Sequence, residues 1–304
     1  MNWFNNLVAQ ILPFVPKPFV KIFSQQYIAG ETLGDAVAKV KELMSENTCA
    51  TLDLLGEEVK SKDDALRAVA TYKEILKTIH DQRLDSNISV KPTHMGLKLD
   101  KEFCYSNIKS LVEEAKKYNN FVRVDMEDSS CTSDTLDICI RLAKEYDNVG
   151  TVIQAYMRRL IKDLNDLIPN KINLRLCKGA YYWEPRSAVY KDGSIVNDSY
   201  QYAVEKLLSN GCYVAVATHD EKLVFKALSI FDKYALKPNQ YEFQMLYGVD
   251  RELRKIIVES GHRLRVYVPY GKQWFAYSVR RLKENPKMVS YILKNMFLKI
   301  TGRA

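Results

Sequence analysis

Eight short apolar or β-branched runs, separated by stretches of helical spacing, constrain this 304-residue chain more than any other feature. The runs lie at 50–55, 88–92, 121–126, 150–156, 172–177, 212–218, 241–246 and 264–269. Between the first two, Ala65, Ala68, Val69, Tyr72, Ile75, Leu76 and Ile79 recur at i, i+3, i+4 and i+7, the signature of one buried helix face. Further helices are expected over 103–118, 133–146, 158–167, 197–209, 221–234, 251–260 and 273–283. Such alternation implies α/β architecture, a parallel sheet with right-handed crossovers. The number eight favours closure into a (β/α)8 TIM-type barrel over an open doubly wound sheet. Residues 1–47 read as short helices broken by Pro13, Pro16, Pro18, Gly30 and Gly34, packed on a barrel domain spanning 48–304.

Several function classes lose their support at once. No G-x-G-x-x-G follows the first strand and no G-x-x-x-x-G-K-[ST] occurs, so neither a Rossmann nor a P-loop nucleotide site is expected. The six cysteines show no C-x-x-C spacing, which argues for reduced, mostly buried thiols, no metal site and a cytoplasmic protein. The N-terminus shows no basic region followed by an unbroken apolar one, so no signal peptide is expected. A formal net charge of +8 invites a nucleic-acid reading, but the lysines are scattered over helix faces (Lys60, Lys62, Lys73, Lys77, Lys116, Lys117), and no nucleic-acid partner is expected. The most apolar stretch, 7–23, carries three prolines, Lys17 and Lys21 and is too interrupted to span a bilayer. It reads either as helices packed on the barrel or as a peripheral contact with the inner face of the cell membrane through Trp3, Phe4, Phe14 and Phe19.

A TIM-type barrel carries its catalytic groups at the C-terminal ends of its strands. The polar residues fall there: Glu57 after the first run, Lys91, Asp125 with Glu127, Gln154 with Tyr156, Arg175 with Lys178 and Tyr181, then Thr218, His219 and Asp220, Glu242 with Gln244, and Tyr267. Any one of them reads equally well as a satisfied interior group, but the set at one end argues for a functional mouth. Farther on stand Arg280, Arg281 and Glu284. Successive helix residues diverge by about 100°, so the two arginines converge only through their long side chains, with the helix crossing over the site. On spacing alone they read as an ordinary surface pair.

The stretches YIAGETLGDAV (27–37), TLDLLGEEV (51–59), ISVKPTHMGL (88–97), RVDMED (123–128), VIQAYMRR (152–159), LRLCKGAYYWEP (174–185), VAVATHD (214–220), YEFQMLYGV (241–249) and RVYVPYGKQWFAYSVRRLKENP (265–286) run over nearly the whole chain. In that order and spacing the chain resembles the proline dehydrogenases, above all the short monofunctional bacterial type. The strand-five motif and the paired-arginine stretch are the specific ones. The resemblance implies a distorted barrel that binds FAD at its mouth and oxidises L-proline to 1-pyrroline-5-carboxylate, the first step of proline catabolism to glutamate. It implies electron transfer to a membrane quinone and hand-off of the product to a 1-pyrroline-5-carboxylate dehydrogenase.

By the same resemblance, Gln154, Arg175, Lys178, Gly179, Ala180, Tyr181, Thr218, His219 and Gln244 match flavin contacts, Arg175 at the flavin N5. Lys91, Asp125, Tyr181, Leu246 and Tyr267 match the proline pocket, and Arg280 and Arg281 the grip on its carboxylate, with Glu284 beside them. Lys91, Asp125, Arg175 and Tyr267 are the expected catalytic group. The residue types suit the chemistry: planar guanidinium donors hold a carboxylate bidentately, and a cation near a ring that gains electrons stabilises it. The base that deprotonates the substrate nitrogen stays open between Lys91, Asp125 and bulk water. The chain departs from the commonest family pattern at THD, where Asp220 replaces an asparagine near the expected flavin, and at MEDS, where Asp128 replaces a frequent glutamate. A different barrel flavoprotein, such as a methylenetetrahydrofolate reductase-like enzyme, is the alternative, and it needs no arginine anchor. A basic barrel without catalysis is the non-enzyme reading.

Overall fold

In a computed structural model, the structure describes residues 20–21, 24, 26–56, 58–181, 183–275 and 277–279. Eight parallel strands close in sequence order into one barrel: β1 (Cys49–Leu54), β2 (Ser86–Val90), β3 (Val122–Val124), β4 (Val149–Gln154), β5 (Asn173–Cys177), β6 (Val214–Ala217), β7 (Tyr241–Leu246) and β8 (Leu264–Tyr270). The seam closes with β1 beside β8, from Cys49 opposite Arg265 to Leu54 opposite Tyr270. The (β/α)8 expectation is met, and each expected run holds one strand to within a few residues.

The helices are α1 (Leu33–Ser45), α2 (Lys62–Asp81), α3 (Lys101–Lys117), α4 (Thr132–Ala143), α5 (Leu160–Leu167), α6 (Gly193–Ser209), α7 (Glu221–Lys233) and α8 (Arg251–Glu259). Their starts follow side-chain caps. Ser61, Asp100, Asp192, Asp220 and Asp250 each accept from the first turn of the following helix. Helix α2 buries the periodic face read from the sequence, Ala65 through Ile79. Gly34 does not break a helix as expected. Thr32 and Asp35 form a reciprocal capping box, so Gly34 falls inside the first turn of α1, where a glycine costs little.

Helix α1 also changes the outer ring. It packs on β8 and β1, where the helix after β8 would lie in a regular barrel. The chain after β8 instead runs over the mouth: Tyr277, in the helical turn that follows, is buried against Ile28 and Leu55. This is the distortion, and it caps the end of the barrel where the site lies.

Outside the sheet the strands pack on the helices through two apolar clusters, one around β1–β3 and one around β4–β7. Inside, the barrel is charged rather than filled with branched aliphatics. Arg265 Nε meets Glu242 at 3.0 Å, and its Nη1 donates to the Ala50 carbonyl at 2.6 Å. Arg123 Nη1 donates to the carbonyls of Thr151 and Asn173, each at 2.7 Å. Gly150 makes room for it, because a Cβ there would stand 2.7 Å from that Nη1 and 2.3 Å from the Asn173 carbonyl. Burial alone would push the Glu242 carboxyl up, but Arg265, the Gln244 amide and Arg123 outweigh it and bring it down to about 2.

The lysines behind the net charge lie on the outer helices, and many are paired there, Lys62 with Asp100 at 3.8 Å and Lys117 with Glu114 at 2.7 Å. The six cysteines are free, five of them buried. Among the described residues, no helix is long and apolar enough to cross a membrane, and no cluster of metal-ligating side chains occurs.

Candidate active site

The C-terminal strand ends open into a cavity of about 620 Å³. Its lining gathers residues far apart in the chain: Lys91, Asp125, Gln154, Arg175, Lys178, Gly179, Ala180, Tyr181, Thr218, His219, Gln244, Leu246 and Tyr267, with Met126, Glu127, Val152, Met245 and Tyr277 among the rest. Every residue expected at the mouth by resemblance and present among the described residues is in that lining. Arg280, Arg281, Glu284 and Glu57 lie outside the described residues, as do Trp3, Phe4, Phe14 and Phe19.

At the floor, side chains from five strands form one chain of charges. Asp53 on β1 meets Lys91, just past β2, at 2.6 Å. Lys91 Nζ lies 3.5 Å from the Tyr267 hydroxyl on β8, which donates to Asp125 Oδ2 at 3.1 Å. Asp125, past β3, accepts from Ser89 Oγ and from Arg175 Nη1 on β5, each at 2.6 Å. The Arg175 guanidinium also donates to the Gln244 amide and lies 5.3 Å from the centre of the Tyr267 ring. Arg175 is therefore fixed by a carboxylate, an amide and an aromatic face, with little freedom to swing away. Burial drives the Tyr267 phenol well above its ordinary value, with Asp125 and Asp53 adding to the effect, so it stays a neutral donor.

Above the floor, the loop after β5 forms one wall. Gly179 adopts φ +139°, and a Cβ there would stand 2.4 Å from the Tyr156 ring, so backbone and packing both require glycine. Gln154 pins the loop from β4: its Oε1 accepts from the Ala180 N–H at 3.2 Å while its Nε2 donates to the Glu127 carbonyl at 2.9 Å. Farther along, the buried Glu184 carboxylate accepts from the Ser129 N–H and hydroxyl, both at 2.6 Å, tying this loop to the one after β3. His219 Nε2 accepts from the Leu246 N–H at 2.8 Å, which leaves the ring proton of the neutral imidazole on Nδ1.

Asp220, the departure from the family pattern near the expected flavin, has a definite local task. It pairs with Lys178 at 2.7 Å and caps α7 through the Lys222 N–H at 3.1 Å. The Lys178 contact holds its carboxyl below the ordinary range, against the opposing effect of burial. Glu127, at the end of β3, turns to the Thr93 hydroxyl at 2.6 Å and N–H at 2.8 Å.

Sequence reasoning missed Asp53, Ser89 and Glu184. For Asp53 the signal was present: an acid inside an otherwise apolar strand, two residues after Thr51, faces the interior if Thr51 does. The bonds of Ser89 and Glu184 join elements distant in sequence and leave no local pattern.

A family model described as proline dehydrogenase matches residues 36–293. Proline dehydrogenase 1 of Bacillus subtilis subsp. natto is 36% identical over 279 residues, 92% of this chain and 92% of its own length. The proline dehydrogenase of Deinococcus radiodurans is 32% identical over 278 residues, 90% of this chain and 89% of its own. Among solved structures, proline utilization A (PutA) from Bdellovibrio bacteriovorus, inactivated by N-propargylglycine, matches with a TM-score of 0.81 at 26% identity. That match covers 86% of this chain and 32% of the PutA chain, so this chain spans about a third of that protein.

Proposed function

We propose, for a chain that belongs to the proline dehydrogenase family, the FAD-dependent oxidation of L-proline to 1-pyrroline-5-carboxylate, with the electrons passed on to a quinone. The observation that carries the reading is the cavity at the barrel mouth, where the Lys91, Tyr267, Asp125 and Arg175 side chains meet apolar walls from Met126, Val152, Met245 and Leu246. FAD would supply the two-electron acceptor that hydride loss from the ring carbon beside nitrogen requires.

The donor set fits such a group. A flavin presents flat apolar faces and a polar edge of carbonyls and ring nitrogens. The cavity offers apolar walls with Arg175, Lys178, Gln154 and Thr218 among them, and its volume of about 620 Å³ lies in the range of cofactor pockets. Gln154, Lys178, Gly179, Ala180, Tyr181, Thr218, His219 and Gln244 would hold it, and Arg175 would lend positive charge where electrons arrive.

Proline would be held by Lys91, Tyr181, Leu246 and Tyr267 together with Arg280, Arg281 and Glu284. Its ring nitrogen enters protonated and must lose that proton before hydride can leave. Asp125 faces the cavity as a group able to take it, with bulk water as the other acceptor, whereas Lys91, paired with Asp53 as an ammonium, has no lone pair to offer and Glu127 is committed to Thr93. Tyr277 and the turn around it cover part of the mouth, which limits the entry of water.

The purified protein should be yellow, with flavin bands at roughly 370 and 450 nm, and anaerobic proline should bleach them. Bleaching by NADH but not by proline would favour a reductase of the methylenetetrahydrofolate type. A colourless protein that cannot be loaded with FAD would sink both.

A lipid-soluble acceptor makes weak membrane contact useful to a cytoplasmic enzyme, and residues 1–23 are the candidate segment; within it Val20 is buried and Lys21 pairs with Glu31 at 3.2 Å. Salt-sensitive co-sedimentation with anionic vesicles, weakened by deleting residues 1–23, is the expected result. No binding at low salt would assign the segment to packing. The product would pass to a 1-pyrroline-5-carboxylate dehydrogenase.

A further inference from the structure

We propose that Asp53 is a positioning residue for this reaction: its carboxylate aims the Lys91 ammonium at the cavity and keeps it charged. The inference rests on the proline-oxidising reading above and adds a residue that does not itself line the cavity. Asp53 is fully buried on β1, and Lys91 Nζ stands 2.6 Å from its Oδ1. The same nitrogen is 3.5 Å from the Tyr267 hydroxyl, so the carboxylate fixes one side of the ammonium while its other side faces the mouth.

The pair is not needed to hold the strands together. Asp53 and Ser89 are already in register between β1 and β2. Tyr72 from α2 locks the same two strands, donating to the Ser89 carbonyl at 2.8 Å and accepting from the Leu54 N–H at 3.2 Å. Buried ion pairs contribute little net stability against apolar replacements, because each charge is costly to take out of water. A buried carboxylate kept at this position is better explained by what it does to the lysine.

Among the described residues, the other ionisable groups around Lys91 are Asp125 and Glu127 past β3, Arg175 on β5, Tyr267 on β8, His94 in the loop after β2 and Tyr277 beyond β8; Tyr72 and Tyr270 flank Asp53 itself. Asp125 is reached through the Tyr267 hydroxyl and is itself paired with Arg175. Glu127 is turned to Thr93. His94 is kept neutral by burial and by Lys91, its imidazole pushed down to about 4. Among the described residues Asp53 is thus a carboxylate in ion-pair contact that opposes the burial of Lys91; burial raises the Asp53 carboxyl above its ordinary value and the Lys91 ammonium works against that rise. Burial disfavours an ammonium and a touching carboxylate favours it. Remove the carboxylate, and the charge on Lys91 is lost at lower pH than before, as pH rises.

The test uses the FAD-loaded enzyme and cyclopentanecarboxylate, which has proline's ring size and carboxylate but no amine to titrate. Its binding is read from the flavin spectrum, or as competition with proline, between about pH 6 and pH 9, where its own carboxylate stays ionised. Wild-type affinity should be flat over that range. Asp53→Asn should keep its flavin and bind the probe about tenfold or more worse at the alkaline end than at the acid end. Asp53→Glu should restore a flat profile, and Asp53→Asn combined with Lys91→Arg should also be flat, since a guanidinium does not titrate there.

A parallel profile in Asp53→Asn, displaced or not, would reduce Asp53 to a structural role and overturn the proposal. If the asparagine variant does not fold, the glutamate variant decides: charge kept but aim shifted predicts weaker binding at every pH, and unchanged binding overturns it. Anaerobic proline added to the wild type in the same series separates the two readings. A wild type that proline does not reduce removes the functional reading and this one with it; a reducible wild type with a parallel Asp53→Asn profile removes this one alone.

Discussion

Arg175→Met should slow anaerobic bleaching of the flavin by proline on the order of 100- to 1000-fold, the usual cost of deleting one preorganised electrostatic donor at a reacting centre. The size follows from how tightly Arg175 is held. Its guanidinium bonds Asp125 at 2.6 Å, donates to Gln244 and lies over the Tyr267 ring, with Asp125 nearly as buried as itself. Methionine fills the volume but removes the cation and leaves the Asp125 carboxylate without its ion partner, so thermal stability should also fall, by about 3–5 kcal/mol if the site cannot relax. Arg175→Lys should recover part of the stability and little of the rate, because one ammonium cannot replace the planar fork and stack on Tyr267 together. Flavin content, measured first, separates a slow reaction from an empty enzyme. Bleaching by Arg175→Met at close to the wild-type rate would remove Arg175 from the reacting centre.

The barrel was legible because its signal is local. β4 reads as a short apolar and β-branched run, while β5 and β7 alternate apolar residues with the polar Arg175, Glu242 and Gln244 of the interior, and all three occupy nearly those positions in the structure. Helix α2 was legible for the same reason, since its buried face repeats every three to four residues. What depends on contacts between distant elements was not. Nothing local to 33–45 says that α1 lies against β8 and β1, displacing the helix that should follow β8.

The mouth divides in the same way. Lys91, Asp125, Arg175 and Tyr267 stand out as polar residues at strand ends, but the order in which they touch, through Tyr267 and back to Asp53, requires the barrel to be closed. Asp220 illustrates the limit of reasoning from a departure in a motif. The substituted residue found Lys178 and the first turn of α7 as partners, neither of which the motif names.

Arg280→Met and Arg281→Met should each lower kcat/KM for proline by roughly 30- to 1000-fold, corresponding to about 2–4 kcal/mol for a lost charge-assisted contact to a carboxylate. Tyr277 lines the cavity and is buried on Leu55, and the Ser278 hydroxyl donates to the Trp274 carbonyl at 2.8 Å, four residues back. Arg280 follows Tyr277 by three residues in the sequence. An anchor for the carboxylate has a signature that loss of folding cannot imitate. Pyrrolidine has the ring and nitrogen of proline but no carboxylate, so the anchor contributes nothing to its oxidation. Wild-type enzyme should therefore prefer proline strongly, and each arginine variant should erode that preference by losing proline while keeping what little pyrrolidine activity it has. Flavin content should stay near wild type in both. The combined variant should fall short of the product of the single effects, because two groups gripping one carboxylate share the same binding energy. Normal proline kinetics in both single variants would take the pair out of the substrate site. An equal loss toward proline and pyrrolidine would make their role structural.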